Sequence, residues 1–413
     1  MRALVLGLSV LAVACGGLKA GSSGGGAGGS GGSTASGGGT TASGGGDGSG
    51  GGTAGTGGGS GSSGGGAAGG SASSGGGTTA SGGGTASSGG GSGGTGGGSG
   101  GAGGGQAPFV FASITLPSTS GSGVRAISGN ANEMYVATSG GKLFHRVGTG
   151  VFTEVMGLSG GIYGLWVSPD GKVFLSHYGS LVVCSSGCDT ASNYVATTTD
   201  SGQAMLSVCG VSSSEVYAVG QRDTANVGVL WKWNGTMWMK VSNDLGITQP
   251  GGCAIGSDGT VYIPGRTNIS TYAQSAVTVE MPDLTVLGSG ATSQLWWGVG
   301  VAGNEVFAVG GNHRIIRRGS GGSWSLVVNP VPVESAYFQV VGGPSAGLAA
   351  AAGSFPGGNG KSLWWWNGSS WAQAMNDIPF INTAQALYVA GPNELYFGGA
   401  DGANAPTLVR AKR

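Results

Sequence analysis

Glu215-Val216-Tyr217-Ala218-Val219-Gly220 recurs as Glu305-Val306-Phe307-Ala308-Val309-Gly310 and as Glu394-Leu395-Tyr396-Phe397-Gly398-Gly399. A looser copy is Glu133-Met134-Tyr135-Val136-Ala137, and two variants lack the glutamate, Lys172-Val173-Phe174-Leu175 and Thr260-Val261-Tyr262-Ile263. Each is a short run of β-branched and aromatic residues, the composition of a strand. The two variants follow Ser168-Pro169-Asp170-Gly171 and Ser257-Asp258-Gly259, where a short acceptor side chain and a glycine make a turn.

A Gly-rich apolar strand precedes each copy, and two further strands usually follow. Trp233-Asn234-Gly235-Thr236-Met237-Trp238 and Trp366-Asn367-Gly368-Ser369-Ser370-Trp371 join these as hairpins, with Asn-Gly expected to supply two residues at φ > 0. Gly319 to Trp324 is a looser version. Units starting near Val124, Gly161, Met205, Gly251, Trp296, Tyr337 and Ala384 are about 37 to 47 residues apart, the period of propeller blades. The last unit stops at a third strand containing Leu408-Val409-Arg410. The run from Phe109 to Leu116 is a strand without a unit of its own. Pairing the two closes a ring without an unpaired seam. The expected fold is all-β, a seven-bladed propeller closed by strand 109–116; six or eight blades stay open because the second and sixth units are degenerate.

The domain organisation follows composition. Of 413 residues 97 are glycine, and residues 21–105 hold 47 of them among Ser, Thr and Ala, with Asp47 the one charge. Lacking apolar side chains, that segment cannot offset the roughly 1–2 kcal/mol per residue of backbone ordering entropy. The expected domains are a signal peptide at 1–14, a lipidated Cys15 with a tether to 107, and a propeller over 108–413. A Gly/Ser coil of this length has an r.m.s. span of roughly 50 Å and a taut limit of about 300 Å.

Met1-Arg2 and a twelve-residue apolar run ending at Ala14 are too short to cross a bilayer and read as a secretory leader. Ala12-Val13-Ala14-Cys15-Gly16 resembles the lipobox of bacterial lipoproteins, with Ala12 where leucine is commoner. The resemblance implies diacylation of Cys15, cleavage before it and a further acyl chain (palmitate). More than one chain makes such anchorage stable. Gly16 after the cysteine implies, by the same resemblance, sorting to the outer membrane.

The domain carries 15 Lys and Arg against 16 Asp and Glu, a balance without the basic excess that a phosphate-binding surface needs, so no nucleic-acid partner is expected. The single basic cluster, Arg314, Arg317 and Arg318, reads as a solvated edge. In a chain that leaves the cytoplasm, Cys184, Cys188, Cys209 and Cys253 are expected as two disulfides. Cys184 and Cys188 can close a tight turn, and Cys209 and Cys253 occupy nearly equivalent places in adjacent units. A zinc site would prefer two short-spaced pairs, and there is one.

Chemistry is sparse. His145, His177 and His313 fall in different units without a second ligand at metal spacing, and Asp170 and Asp258 belong to turns. No metal, cofactor or catalytic residue is expected. Trp231, Trp233, Trp364, Trp365 and Trp366 read first as packing between blades, with Trp364 and Trp366 as candidates for stacking on a sugar. Asn234 and Asn367 match a glycosylation acceptor formally, but the hairpins account for both.

The pattern over 109–413 is similar to exported bacterial propellers of the Kelch-like and YVTN-like kind. With its tether it is similar to the Gly/Ser-tethered surface lipoproteins of myxobacteria. The resemblance carries over no functional residues; a closed ring without a catalytic constellation points instead to an envelope-anchored, monomeric binding or scaffold module with a protein or polysaccharide ligand. The alternatives are a glycan hydrolase or lyase with carboxylates gathered from several blades, and a carbohydrate-binding adhesin.

Overall fold

The computed structural model describes residues 108–117, 123–155, 160–222, 225–282, 296–310, 314–319, 321–328, 337–342, 349–354, 361–375 and 378–413. Cys15, the leader, the tether and His313 lie outside the described residues. Seven four-stranded antiparallel sheets form the domain, with strands in chain order within blades one to six. Their first strands are Val124–Gly129, Ile162–Val167, Gln203–Ser212, Ala254–Ile255, Trp296–Ala302, Tyr337–Gly342 and Thr383–Gly391. Each touches the first strand of the next blade, and the seventh touches that of the first, so these are the inner strands of a closed ring.

The seventh blade borrows its fourth strand. Val110–Ile114 pairs antiparallel with Pro406–Lys412, from Val110 opposite Lys412 to Ile114 opposite Leu408. The Arg413 guanidinium lies 3.9 Å from the Phe109 ring centre and 5.2 Å from that of Trp365 in blade six. Across the seam between blades one and seven, Arg146 Nη2 donates to Tyr396 Oη at 3.1 Å and lies over Phe152. Chain ends far apart in sequence are thereby held by main-chain bonds and by cation–π contacts.

The recurring hexapeptide is the second strand of its blade, and its third residue is the aromatic that packs blade on blade. Tyr135, Phe174, Tyr217, Tyr262, Phe307 and Tyr396 are at most 3% exposed. Burying each such ring contributes about 2–3 kcal/mol. Burial, with Tyr194 and Glu133 nearby, pushes the Tyr135 hydroxyl well above its ordinary value, so it keeps its proton.

Two disulfides tie the ring, Cys184 to Cys188 within blade two and Cys209 to Cys253 between blades three and four. The Asn-Gly hairpins differ from expectation. Trp233 pairs with Trp238 and Trp366 with Trp371, so each loop has four residues rather than two. Only the glycines, Gly235 and Gly368, have positive φ there. The asparagines act through their side chains: Asn234 Oδ1 accepts from the Thr236 and Met237 amides, and Asn367 Oδ1 from those of Ser369 and Ser370.

Candidate functional site

The second strands place their leading glutamates at one end of the blades, where each meets a basic side chain from the third strand. In blade one Tyr135 donates to Glu133 at 3.1 Å, and His145, opposite Tyr135, brings Nε2 to 3.3 Å from the same carboxylate. In blade three Tyr217 donates to Glu215 at 3.2 Å while Lys232, opposite Tyr217, lies 3.6 Å from it. Blade seven repeats this with Tyr396 and Arg410 on Glu394, the arginine at 2.8 Å. Blade five keeps the ion pair, Arg317 to Glu305 at 3.5 Å, with Phe307 in place of tyrosine. Burial raises the Glu394 carboxyl, but the hydrogen bonds from Tyr396 and Arg410 prevail and hold it below its ordinary range.

A groove of about 370 Å³ opens on this side between blades four and five. Asp258 and Ser257 enter it from the first turn of blade four, Asn304 and Glu305 from the first turn of blade five, and Arg317 and Arg318 from blade five's third strand. Ser257 Oγ donates to Asn304 Oδ1 at 2.9 Å across the blade boundary. Asp258 Oδ1 accepts the Thr260 amide at 3.0 Å, as its turn requires. Arg318 is locked: Nε lies 3.1 and 3.0 Å from the two oxygens of Glu280 in blade four, and Nη2 is 2.6 Å from Oε1. Trp324 Nε1 donates to Glu280 Oε2 at 2.8 Å, and Tyr262 lies beneath the guanidinium at 5.3 Å. A two-point fork against a carboxylate holds its geometry better than a lysine would.

The expected basic cluster is therefore not one site. Arg314 is buried, while Arg317 and Arg318 face the groove with separate carboxylates as partners. Sequence reading missed Glu280, Ser257 and Asn304, because their partners belong to the neighbouring blade. Asp170 has a comparable place in blade two. The Ser168 hydroxyl, and more weakly Ser213 of blade three, hold its carboxyl below the usual range against the effect of burial.

The tryptophans are mostly spent on packing. Trp366, expected as a stacking residue, is 3% exposed and packs 5.0 Å from Phe307 and 5.9 Å from Trp371, so its faces are covered. Trp364 is half-buried beside the same cluster. Trp231 is buried with Nε1 donating to Gln203 at 3.1 Å, and Trp365 packs on Phe109. His177 Nδ1 lies 3.1 Å from the Tyr178 carbonyl oxygen. Among the described residues no three His, Cys, Asp or Glu side chains gather as metal ligands, and no helix is long and apolar enough to cross a membrane.

No protein-family model matches the chain, and no curated protein matches it in sequence. Solved structures are similar in fold. YCF48 bound to D1 peptide has a TM-score of 0.55 at 12% identity, over 75% of this chain and 96% of that one. YCF48 from Cyanidioschyzon merolae has 0.53 at 11%, over 73% and 98%. The extracellular domain of a one-component system from B. thetaiotaomicron has 0.53 at 10%, over 72% of this chain and 39% of that chain. At such identities the likeness is one of fold, and function rests on the sites.

Proposed function

We propose that this chain is a lipid-anchored envelope protein whose propeller binds a macromolecular ligand and performs no chemistry on it. Cys15 carries the acyl chains, residues to 107 act as a tether, and the propeller works as a monomer at the outer membrane. The observation that supports binding is the groove between blades four and five. Its charges are balanced within it, and Arg318 is held by Glu280, so a polar ligand meets donors and acceptors already in position. That YCF48 takes a peptide on a similar fold makes a polypeptide ligand reasonable, and a polysaccharide is the other candidate.

Hydrolysis of a glycan is the second reading, because Asp258 and Glu305 reach one groove from different blades. A glycosidase acid relies on burial to keep its proton at neutral pH. Here Asp258 is exposed and held by its own turn, and Glu305 is paired with Arg317.

One experiment separates these readings. The mature chain is extracted from membranes and incubated with peptide and glycan arrays, and the retained probes are weighed afterwards by mass spectrometry. Retention with masses unchanged supports binding; shortened glycans that survive intact in Asp258→Asn and Glu305→Gln establish hydrolysis. The mass of the N-terminal peptide tests the anchor: a chain beginning at unmodified Gly16 or later ends that part of the proposal.

A further inference from the structure

Blades two and four join their first and second strands by the same turn, and its main-chain bonds align residue for residue. The Ser168 amide donates to the Lys172 carbonyl and the Gly171 amide to that of Ser168; in blade four Gly256 donates to Thr260 and Gly259 to Gly256. Gly256 therefore stands where Ser168 does, Asp258 where Asp170 does and Thr260 where Lys172 does. In blade two the aspartate is answered. Ser168 Oγ donates to Asp170 Oδ1 at 2.6 Å, and this bond, with Ser213 and the Lys172 charge behind it, outweighs burial and keeps the carboxyl below its usual range. In blade four the hydroxyl and the cation are both gone. Asp258 Oδ1 keeps the Thr260 amide at 3.0 Å, and no basic side chain pairs with Asp258 among the described residues. Gly256 also gives the carboxylate its place, since a Cβ there would stand 2.7 Å from Asp258 Oδ1.

This carboxylate lines the groove between blades four and five. Two carboxylates and two guanidiniums do so, Asp258 and Glu305 beside Arg317 and Arg318. Glu305 is answered by Arg317 at 3.5 Å. Arg318 is answered from outside the lining, because its fork is taken by Glu280. The hydrogen bonds to Glu280 are what chiefly raise the Arg318 guanidinium, and Asp258 contributes least. The charge left over in the groove is therefore the carboxylate of Asp258. Around it, Asn304 spends Oδ1 on Ser257, so the group it offers a ligand is the Nδ2 donor. Val301, Val306 and Tyr262 supply apolar lining.

We propose that the groove takes a lysine or arginine side chain of an extended polypeptide, with its cationic head on Asp258. The proposal rests on the reading of the domain as a binder and names the ligand class of the groove already described. The head supplies from outside the charge that Lys172 supplies in blade two. Its methylene stem covers Val301 and Val306, as long basic side chains cover apolar surface while their heads stay wet. A main-chain carbonyl beside it accepts from Asn304 Nδ2. An acidic ligand fits poorly, because both guanidiniums are taken and Asp258 would repel it. An amino sugar carries its ammonium directly on the ring and has no stem for the valines. Asp258 is exposed, so the pair selects among ligands more than it tightens their binding.

The test uses the full mature chain with an array of lysine-containing decapeptides, beside a glycan array that includes glucosamine oligomers. The best decapeptide is then labelled and titrated by fluorescence anisotropy in four forms that differ at one residue: lysine, arginine, acetyl-lysine and glutamate. We expect wild type to hold the lysine and arginine forms about fivefold more tightly than the acetyl-lysine form, and about 0.5 M salt to shrink that difference. The glutamate form is expected to bind most weakly. Asp258→Asn is expected to remove the difference and leave the acetyl-lysine affinity unchanged, a charge-specific split that misfolding does not produce. Thr260→Lys, which gives Asp258 the cation of blade two, is expected to remove it as well, and Asp170→Asn to leave it intact. A difference that survives either substitution in blade four, or is absent from wild type, overturns this assignment of the groove and leaves the binder reading standing. Retention of glycans alone overturns the polypeptide assignment and likewise leaves that reading standing. Failure of wild type to retain any decapeptide or glycan overturns both.

Discussion

Blades one, three, five and seven begin their second strand with a glutamate, and blades two and four with Lys172 and Thr260. In the first group a basic side chain on the third strand stands beside the carboxylate: His145, Lys232, Arg317 and Arg410. In the second group that pair is missing, and a disulfide is present instead. Cys184–Cys188 closes the last loop of blade two, and Cys209–Cys253 ties blade four to blade three. The same architecture is thus secured by two chemistries that respond to different conditions. Ion pairs at a partly exposed rim respond to acid and salt, and disulfides respond to reductant.

The largest effect that would sharpen this contrast is loss of the inter-blade disulfide. Cys209 and Cys253 are 44 residues apart, and constraining a loop of that length removes denatured-state entropy worth about 4 kcal/mol. Replacing both with alanine is expected to lower stability by that order in denaturant titrations. A loss no greater than that of the next pair would show that loop length is not what matters here. Cys184 and Cys188 enclose a separation of 4, and their double alanine variant is expected to lose about 2 kcal/mol.

Smaller effects come from the glutamate blades. The Glu394 carboxyl titrates below its ordinary value of 4.5 in the folded chain because Tyr396 and Arg410 outweigh burial. A depressed carboxyl stabilises fully above the unfolded value and loses that contribution as pH falls through the folded one. Thermal melts from pH 7 downward should therefore be flat until about 4.5 and then decline. Glu394→Gln should remove about 1 kcal/mol at neutral pH and flatten the acid limb. An acid limb unchanged by this substitution would assign the decline to other carboxylates. Glu215→Gln should cost about 0.5 kcal/mol or less, since both partners are about a third exposed, and about 0.5 M salt should erase the difference. A larger, salt-resistant loss would mean that the Tyr217 hydroxyl, not Lys232, is the partner that counts.

Much of the ring was legible in the residues. Second strands announce themselves by Glu-Val-Tyr-Ala-Val-Gly, unit starts fall within a few residues of the observed inner strands, and strand 109–116 is where closure needs it. These features are local: alternation, turn chemistry and repeat length each depend on neighbours along the chain. The hairpins at Asn234 and Asn367 were found for the wrong reason, since asparagine serves there by its side chain and only glycine by its φ. Nothing in the strand of Trp366 reveals that Phe307, one blade away, packs against it and leaves it buried.

The sequence by itself determined the blade and the partner for the unpaired first strand, because period-two burial and short-range turns are written in consecutive residues; it pointed to seven blades with six or eight left open, and the seven sheets of the structure decided the number. Only the tertiary structure decided which of those blades share a groove and that Glu280 answers Arg318. The physical reason is that an inter-blade ion pair joins residues 38 apart, so it leaves no period in either strand alone.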